Sequence, residues 1–120
     1  MINELGSVAS HRQGRSVTHH LVKIWHDLLK SMKREADWAR ENVTPTLDEY
    51  MENACISFAL GPVILVPLFS IGPKLSEEVL ASQEYDRLFK HISSIGRLLN
   101  DLASVKLPEC ICRENVNKVS

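Results

Sequence analysis

The sequence predicts an all-α fold, and three observations carry that expectation. Apolar residues recur at steps of three and four along most of the 120 residues. Helix formers dominate, with Gly and Pro numbering only five each. A hydrophobic content of 44% beside 24% charged residues is that of a packed protein, too apolar for a disordered one. The length fits one small domain or part of a larger one.

A first short helix is expected over Ile2 to Arg12, where Ile2, Leu5 and Ala9 already stand at helical spacing, and it should end near Gly14. Ser16 offers a cap for a long second helix reaching about Glu41. Its apolar stripe is Val17, Leu21, Ile24, Leu28, Met32 and Ala36, widened by Trp25 and Leu29. Lys23, His26, Lys30, Lys33 and Asp37 fall on its wet side. Thr44, Pro45 and Thr46 mark a boundary, and Thr46 with Glu49 three residues on is a capping-box pattern.

From Asn53 to Pro73 there is no charged side chain. That length would allow a bilayer crossing. Gly61-Pro62 and Pro67 interrupt it, and no Lys/Arg asymmetry or interfacial Trp flanks it, which favours a buried central helix of a bundle. Pro62 removes a backbone donor, so a break is expected at Gly61-Pro62. It is either a simple bend or a place where a dipole is aimed into a cavity. Gly72 and Pro73 close the stretch, a short helix follows around Ser76 to Ala81, and a last long helix begins near Gln83. After Val105 the periodicity stops, and residues 107–120 are expected to form a loose, disordered tail.

A net charge of −1 gives no electrostatic case for nucleic acid. Cys55, Cys110 and Cys112 make no disulfide framework, and an odd count without a signal peptide argues for a reducing compartment. No second pair at zinc spacing accompanies Cys110-x-Cys112. No basic or apolar leader precedes the first helical pattern, so no targeting peptide is expected within this chain.

In the last helix Leu88, Ile92, Ile95, Leu99 and Leu102 share one face, while Ser93, Arg97, Asn100 and Ser104 share nearly the opposite one. The polar stripe has two readings. One is the solvated side of an amphipathic helix. The other is a metal site: Asn100 and Ser104 stand one turn apart and offer hard oxygen donors suited to Mg²⁺. Arg97, one turn earlier, can present a fork of donors to a phosphate. Ser93 and Gly96 are small and leave room beside them.

Asn100-Asp101-x-x-Ser104 resembles the start of the Asn/Ser/Glu metal motif of class I terpene synthases, with ligands at i, i+4 and i+8. Longer words are similar to the ent-kaurene synthase group of plant class I diterpene synthases. They are Gln13-Gly14-Arg15 before Val17-Thr18-His19-His20-Leu21-Val22; Leu29-Lys30-Ser31-Met32 before Glu35-Ala36; and Thr46 through Asn53. They continue in Ser57-Phe58-Ala59-Leu60-Gly61-Pro62, Gly72 through Glu78, and Gly96 through Ser104. The resemblance runs in order over about residues 2 to 106.

It implies that residues 1–106 are part of the all-α metal-binding domain of such an enzyme, a partial helical bundle of the isoprenoid synthase type. It implies Mg²⁺ as cofactor and a prenyl diphosphate as substrate, with ent-copalyl diphosphate the expected one. The reaction implied is metal-assisted loss of diphosphate and cyclisation to an ent-kaurene-like diterpene, in a plastid. By position, Asn100 and Ser104 become metal ligands and Arg97 a diphosphate contact. Gly61, Pro62, Val63 and Ile64 become the helix break that shapes the product.

Two departures stand beside this. No Asp-Asp pair occurs, so the aspartate-rich motif is missing from these residues, and position i+8 is Pro108, with Glu109 one place out of register. The chain by itself is therefore expected to be inactive. The alternative is a non-catalytic helical remnant or interaction module, whose uncovered faces would be sticky.

Overall fold

The structure is a computed structural model that describes residues 1–119, with side chains through Ser104. It is all-α: helices α1 (Ile2–Gln13), α2 (Thr18–Glu41), α3 (Leu47–Ser57), α4 (Val66–Ile71), α5 (Glu77–Leu80) and α6 (Gln83–Val119), with a π-helical turn at Gly61–Leu65. Tail 107–120, including Pro108, Glu109, Cys110 and Cys112, lies outside the residues whose side chains are described.

Helix α1 ends where Gly14 takes φ 72°, a left-handed conformation that costs glycine little. Its N–H reaches back to the carbonyls of Ser10 and His11. The buried residues of α1 are Gly6, Ala9 and Gln13, one line at steps of three and four. Gly6 is needed because a Cβ there would meet the Thr18 hydroxyl at 2.6 Å, so α1 and α2 close onto each other. The cap of α2 differs from the expectation. Val17, not Ser16, is the N-cap residue, and the Val17 N–H donates to Ser10 Oγ at 3.0 Å. The Ser10 hydroxyl thus satisfies the N-cap residue's own N–H, and no side chain caps the first turn of α2.

The core gathers Ala9, Val17, Leu21, Val66 and Phe69, with Leu5, Ile24, Leu65, Leu75 and Leu80 packed around it. It sits between α1, the first half of α2, and α4. Farther along α2 the buried line continues through Leu28 and Ser31 and the half-buried Glu35, not through Met32 and Ala36, which are exposed along with Leu29. The reason is the partner. Asn53 on α3 donates through Nδ2 to the Ser31 carbonyl (3.0 Å) and to Glu35 (3.3 Å), and Ser31 Oγ donates to the Asn53 carbonyl at 2.9 Å. Ser57 donates to the same Glu35 carboxylate, so a polar seam joins α2 to α3.

Helix α3 starts with the capping box that its sequence signals. Glu49 N–H donates to Thr46 Oγ1 at 3.3 Å, and Thr46 N–H donates to Glu49 Oε2 at 2.9 Å. The Thr46 backbone donor, then its hydroxyl, hold the Glu49 carboxyl below its usual 4.5. A depressed folded value contributes stability that is present above the unfolded value and lost as pH falls through the folded one. The urea midpoint is therefore expected to fall as pH drops below 4.5, and to fall less steeply in that window for Glu49→Gln. Equal slopes for the two proteins would show that the cap is not titrating.

The stretch Leu47–Ile71 is long and apolar enough to cross a membrane by length and composition. Within this chain it is covered on one side only. Asn53, Ala54, Cys55, Gly61, Val66 and Phe69 are buried, whereas Val63 and Ile71 are 67% and 78% exposed. The fully buried central helix expected from its composition is not completed by these residues alone.

Candidate metal and diphosphate site

Helix α6 lays its polar side, not its apolar side, on α3. Phe58 meets Gly96, Cys55 Sγ lies 3.1 Å from Ser94 Oγ, and Tyr50 reaches Asp101, so the two helices run antiparallel. The room expected beside Gly96 is filled by the Phe58 ring, which a Cβ would meet at 2.5 Å. Ser93 is fully buried, and its hydroxyl has no partner among the described residues. The apolar stripe Leu88, Ile92, Ile95, Leu99 and Leu102 is exposed.

Arg97 is held in place by two neighbours. Its Nε donates to the Tyr50 hydroxyl at 3.1 Å, and its Nη2 lies 2.9 Å from Asp101 Oδ1. Tyr50 in turn donates to Asp101 Oδ2 at 2.6 Å. Burial raises the Tyr50 hydroxyl above its usual range, and its bond to Asp101 adds to this. Burial also acts to raise the Asp101 carboxyl, but the Tyr50 and Arg97 bonds outweigh it and leave the group below its usual range. A guanidinium has five N–H donors, and only two are engaged here. The remaining N–H groups have no hydrogen-bond partner among the described residues.

One turn on, Asn100 and Ser104 are both exposed. Ser104 Oγ donates to the Asn100 backbone carbonyl at 2.8 Å, which uses the hydroxyl proton and leaves the oxygen lone pairs free. Two neutral oxygen donors one turn apart, open to water, fit the preference of Mg²⁺ for a few protein oxygens completed by waters and phosphate oxygens. They do not make a closed site by themselves.

The helix break begins before Gly61-Pro62. Pro62 has no N–H to give the Phe58 carbonyl four residues back, and its ring would clash there, so α3 must end by Ser57. The chain then turns at Ala59, φ 65°, and re-enters helix through the π turn Gly61–Leu65. A left-handed alanine costs about 1 kcal/mol. Ala59→Gly is expected to raise the unfolding free energy by about 1 kcal/mol in urea titration. A destabilised Ala59→Gly variant would mean that the alanine methyl is gripped rather than strained.

Beside the break lies a cavity of about 380 Å³, walled by Ile24 and Leu28 of α2, by Gly61 and Pro62, and by Tyr85 and Phe89 of α6. Phe89 and Asn100 share one side of α6, eleven residues or about 16 Å apart along its axis. Gly61 lets α2 approach closely, since a Cβ there would lie 3.0 Å from the Ile24 side chain. Of the four residues expected to shape the product, Gly61 and Pro62 line this cavity, and Val63 and Ile64 are exposed outside it.

Sequence reasoning missed Tyr50, Asp101, Tyr85 and Phe89 as parts of this region. Asp101 was within reach, because Arg97 and Asp101 stand at i, i+4. Tyr50 was not, because nothing local couples positions 47 and 51 apart in the chain.

Residues 1–109 match the family model described as terpene synthase family 2, C-terminal metal binding. The chain is similar to the ent-13-epi-manoyl oxide synthase of Salvia miltiorrhiza, 55% identical over 101 residues, which are 84% of this chain and 12% of that protein. It is 54% identical over 102 residues to the ent-beyerene synthase of Oryza sativa subsp. japonica, 85% of this chain and 12% of the relative. It is 53% identical over 100 residues to the ent-kaur-16-ene synthase of the same species, 83% of this chain and 13% of the relative. All three relatives carry chloroplastic in their names. The chain thus spans about an eighth of the length of the curated relatives it matches. No solved structure matches it.

Proposed function

Because the chain belongs to the terpene synthase family and matches its C-terminal metal-binding part, we propose that it is the α6-bearing segment of a plastid diterpene synthase. In this reading Asn100 and Ser104 hold one Mg²⁺, and Arg97 grips the diphosphate of a prenyl substrate, ent-copalyl diphosphate being the one expected. The carrying observation is the face of α6 itself, where Arg97 is oriented by Tyr50 and Asp101 while Asn100 and Ser104 stand open one turn away.

The metal, when bound, neutralises the charge that collects on the departing diphosphate. This chain's residues do the rest of what is assigned to it. Arg97 offers its free N–H donors to diphosphate oxygens, in an orientation that Asp101 fixes at 2.9 Å. The apolar wall beside Gly61 and Pro62 keeps water from the hydrocarbon, and the ring faces of Tyr85 and Phe89 favour positive charge near them. Cyclisation to an ent-kaurene-like product follows from that enclosure. The hydrophobic stretch Leu47–Ile71 serves as bundle interior, not as a membrane span.

The chain alone offers two oxygen ligands and a cavity lined by α2, the helix break and α6. Purified protein incubated with Mg²⁺ and ent-copalyl diphosphate is expected to release no diterpene detectable by gas chromatography. Product at the rate of a full-length relative would overturn this reading of the isolated chain. A second reading, a helical remnant that associates with other helices, has one observation in its favour, the exposed row Leu88, Ile92, Ile95, Leu99 and Leu102. Concentration-dependent sedimentation without any Mg²⁺-dependent effect of diphosphate would favour it.

A further inference from the structure

We propose that His19, His20 and Glu77 form a second cation site, of nitrogen–oxygen type, at the edge of the cavity and distinct from Asn100 and Ser104. Their ligand atoms all lie within 4.8 Å of one another. The two histidines open α2, and Glu77 is the first residue of α5, so the site joins elements 57 residues apart. His20 and Glu77 also line the cavity.

The arrangement is unusual for a plain ion pair. His20 Nε2 stands 3.0 Å from both Oε1 and Oε2 of Glu77, although one N–H can be aligned with only one of them. Donors around a tetrahedral ion at 2.0–2.1 Å are about 3.3 Å apart, so the His20–Glu77 edge needs to open by only a few tenths of an ångström. The His20 ring is already fixed, stacked on Phe69 at 5.6 Å between centroids. Arg15 Nε donates to Glu77 Oε1 at 3.0 Å and not to Oε2, which faces His20. His19, exposed and with its ring centroid 4.0 Å from that of His20, can turn inward without breaking a buried contact. Solvent supplies the fourth ligand.

Two imidazoles and one carboxylate select a borderline ion such as Zn²⁺ or Co²⁺ over Mg²⁺. The Arg15 guanidinium beside Glu77 opposes any cation, so binding is expected to be weaker than at a closed structural zinc site. The bound ion would tie α2 to α5 across the cavity edge.

The test uses the full chain carrying Cys110→Ser and Cys112→Ser, which removes thiols that would compete for the probe. Calorimetric titration with Zn²⁺ is expected to show one saturable site per chain, and Co²⁺ to give a tetrahedral visible spectrum. His19→Ala and Glu77→Gln should each weaken binding by at least about tenfold, His26→Ala should not, and Mg²⁺ in excess should not displace Zn²⁺. Zn²⁺ should raise the thermal midpoint of the parent and leave that of Glu77→Gln unchanged. Both variants replace exposed side chains, and circular dichroism verifies that they remain helical. Absence of saturable binding, or binding untouched by His19→Ala and Glu77→Gln, would overturn the proposal. The test leaves Asn100 and Ser104 intact, so its failure says nothing about the Mg²⁺ site.

Discussion

Gln13→Ala is expected to lower the unfolding free energy by about 3 kcal/mol, although it replaces a single neutral residue near a helix end. Gln13 is only 4% exposed and satisfies three backbone groups, one in the last turn of α4 and two in the segment that follows it. Its Nε2 donates to the carbonyls of Phe69 (3.0 Å) and Pro73 (3.1 Å), and its Oε1 accepts from Leu75 N–H at 2.8 Å. The Phe69 carbonyl has Pro73, which lacks an N–H, four residues on, and the other two groups lie beyond the helix, so without Gln13 they face an apolar surround or a water that must be ordered there. Each bond contributes about 1 kcal/mol net, and stranding a buried carbonyl adds to the loss. Alanine is the better helix former, which recovers a few tenths of a kcal/mol. Gln13→Glu separates donor from acceptor: it retains an oxygen for Leu75 but turns repulsive toward Phe69 and Pro73. Urea unfolding should show both variants destabilised, with glutamate at least as damaged as alanine at neutral pH. A loss under about 0.5 kcal/mol for Gln13→Ala would mean that water already satisfies these groups.

Gln13 also shows where sequence reading stops. Helix ends were legible because their causes are local. Gly14 closes α1, the Thr46–Glu49 pair opens α3, and Pro62 dictates that α3 ends before it. The roles of Gln13, Ser10 and Asn53 depend on backbone groups brought close by packing, and no period or cap records that. The apolar stripe of α2 packs inward as far as Leu28. It then departs from Met32 and Ala36 because α3 presents Asn53 and Ser57, and polar partners draw Ser31 and Glu35 inward.

The same limit applied at the candidate site. The spacing of Arg97, Asn100 and Ser104 is visible as steps of three and four along one helix face. That Arg97 would be braced by Tyr50 from α3, and that Phe58 would occupy the space beside Gly96, required the α3–α6 pairing. Hydrophobicity alone pointed the other way, since the row from Leu88 to Leu102 is the stronger apolar signal and remains uncovered within this chain.

The second large effect concerns Asn100 and Ser104. On the proposed reading, in a complete synthase that carries this segment, removing either oxygen from the Mg²⁺ is expected to reduce kcat by at least about 100-fold, or about 3 kcal/mol of transition-state stabilisation. Both side chains are exposed on a helix whose packing they do not share, so helix content and unfolding midpoint should change little. Asp101→Asn is the informative companion. It keeps the Asn100 and Ser104 oxygens but removes the charge that holds Arg97 at 2.9 Å. Its loss should therefore appear in diphosphate binding, and in KM more than in kcat, where a ligand variant loses kcat.

On the proposed reading, this segment supplies one metal's ligands and a diphosphate contact to a complete diterpene synthase. The direct measurement grafts residues 1–104 onto the rice ent-kaur-16-ene synthase in place of the stretch to which they are 53% identical. The rice protein then provides everything upstream and its own sequence after Ser104. The hybrid, folded by circular dichroism, is expected to convert ent-copalyl diphosphate to diterpene with Mg²⁺. Asn100→Ala or Ser104→Ala in that hybrid is expected to lower kcat by at least about 100-fold without lowering its unfolding midpoint. A folded hybrid that forms no diterpene, or one whose turnover is unchanged by either alanine, would contradict that reading.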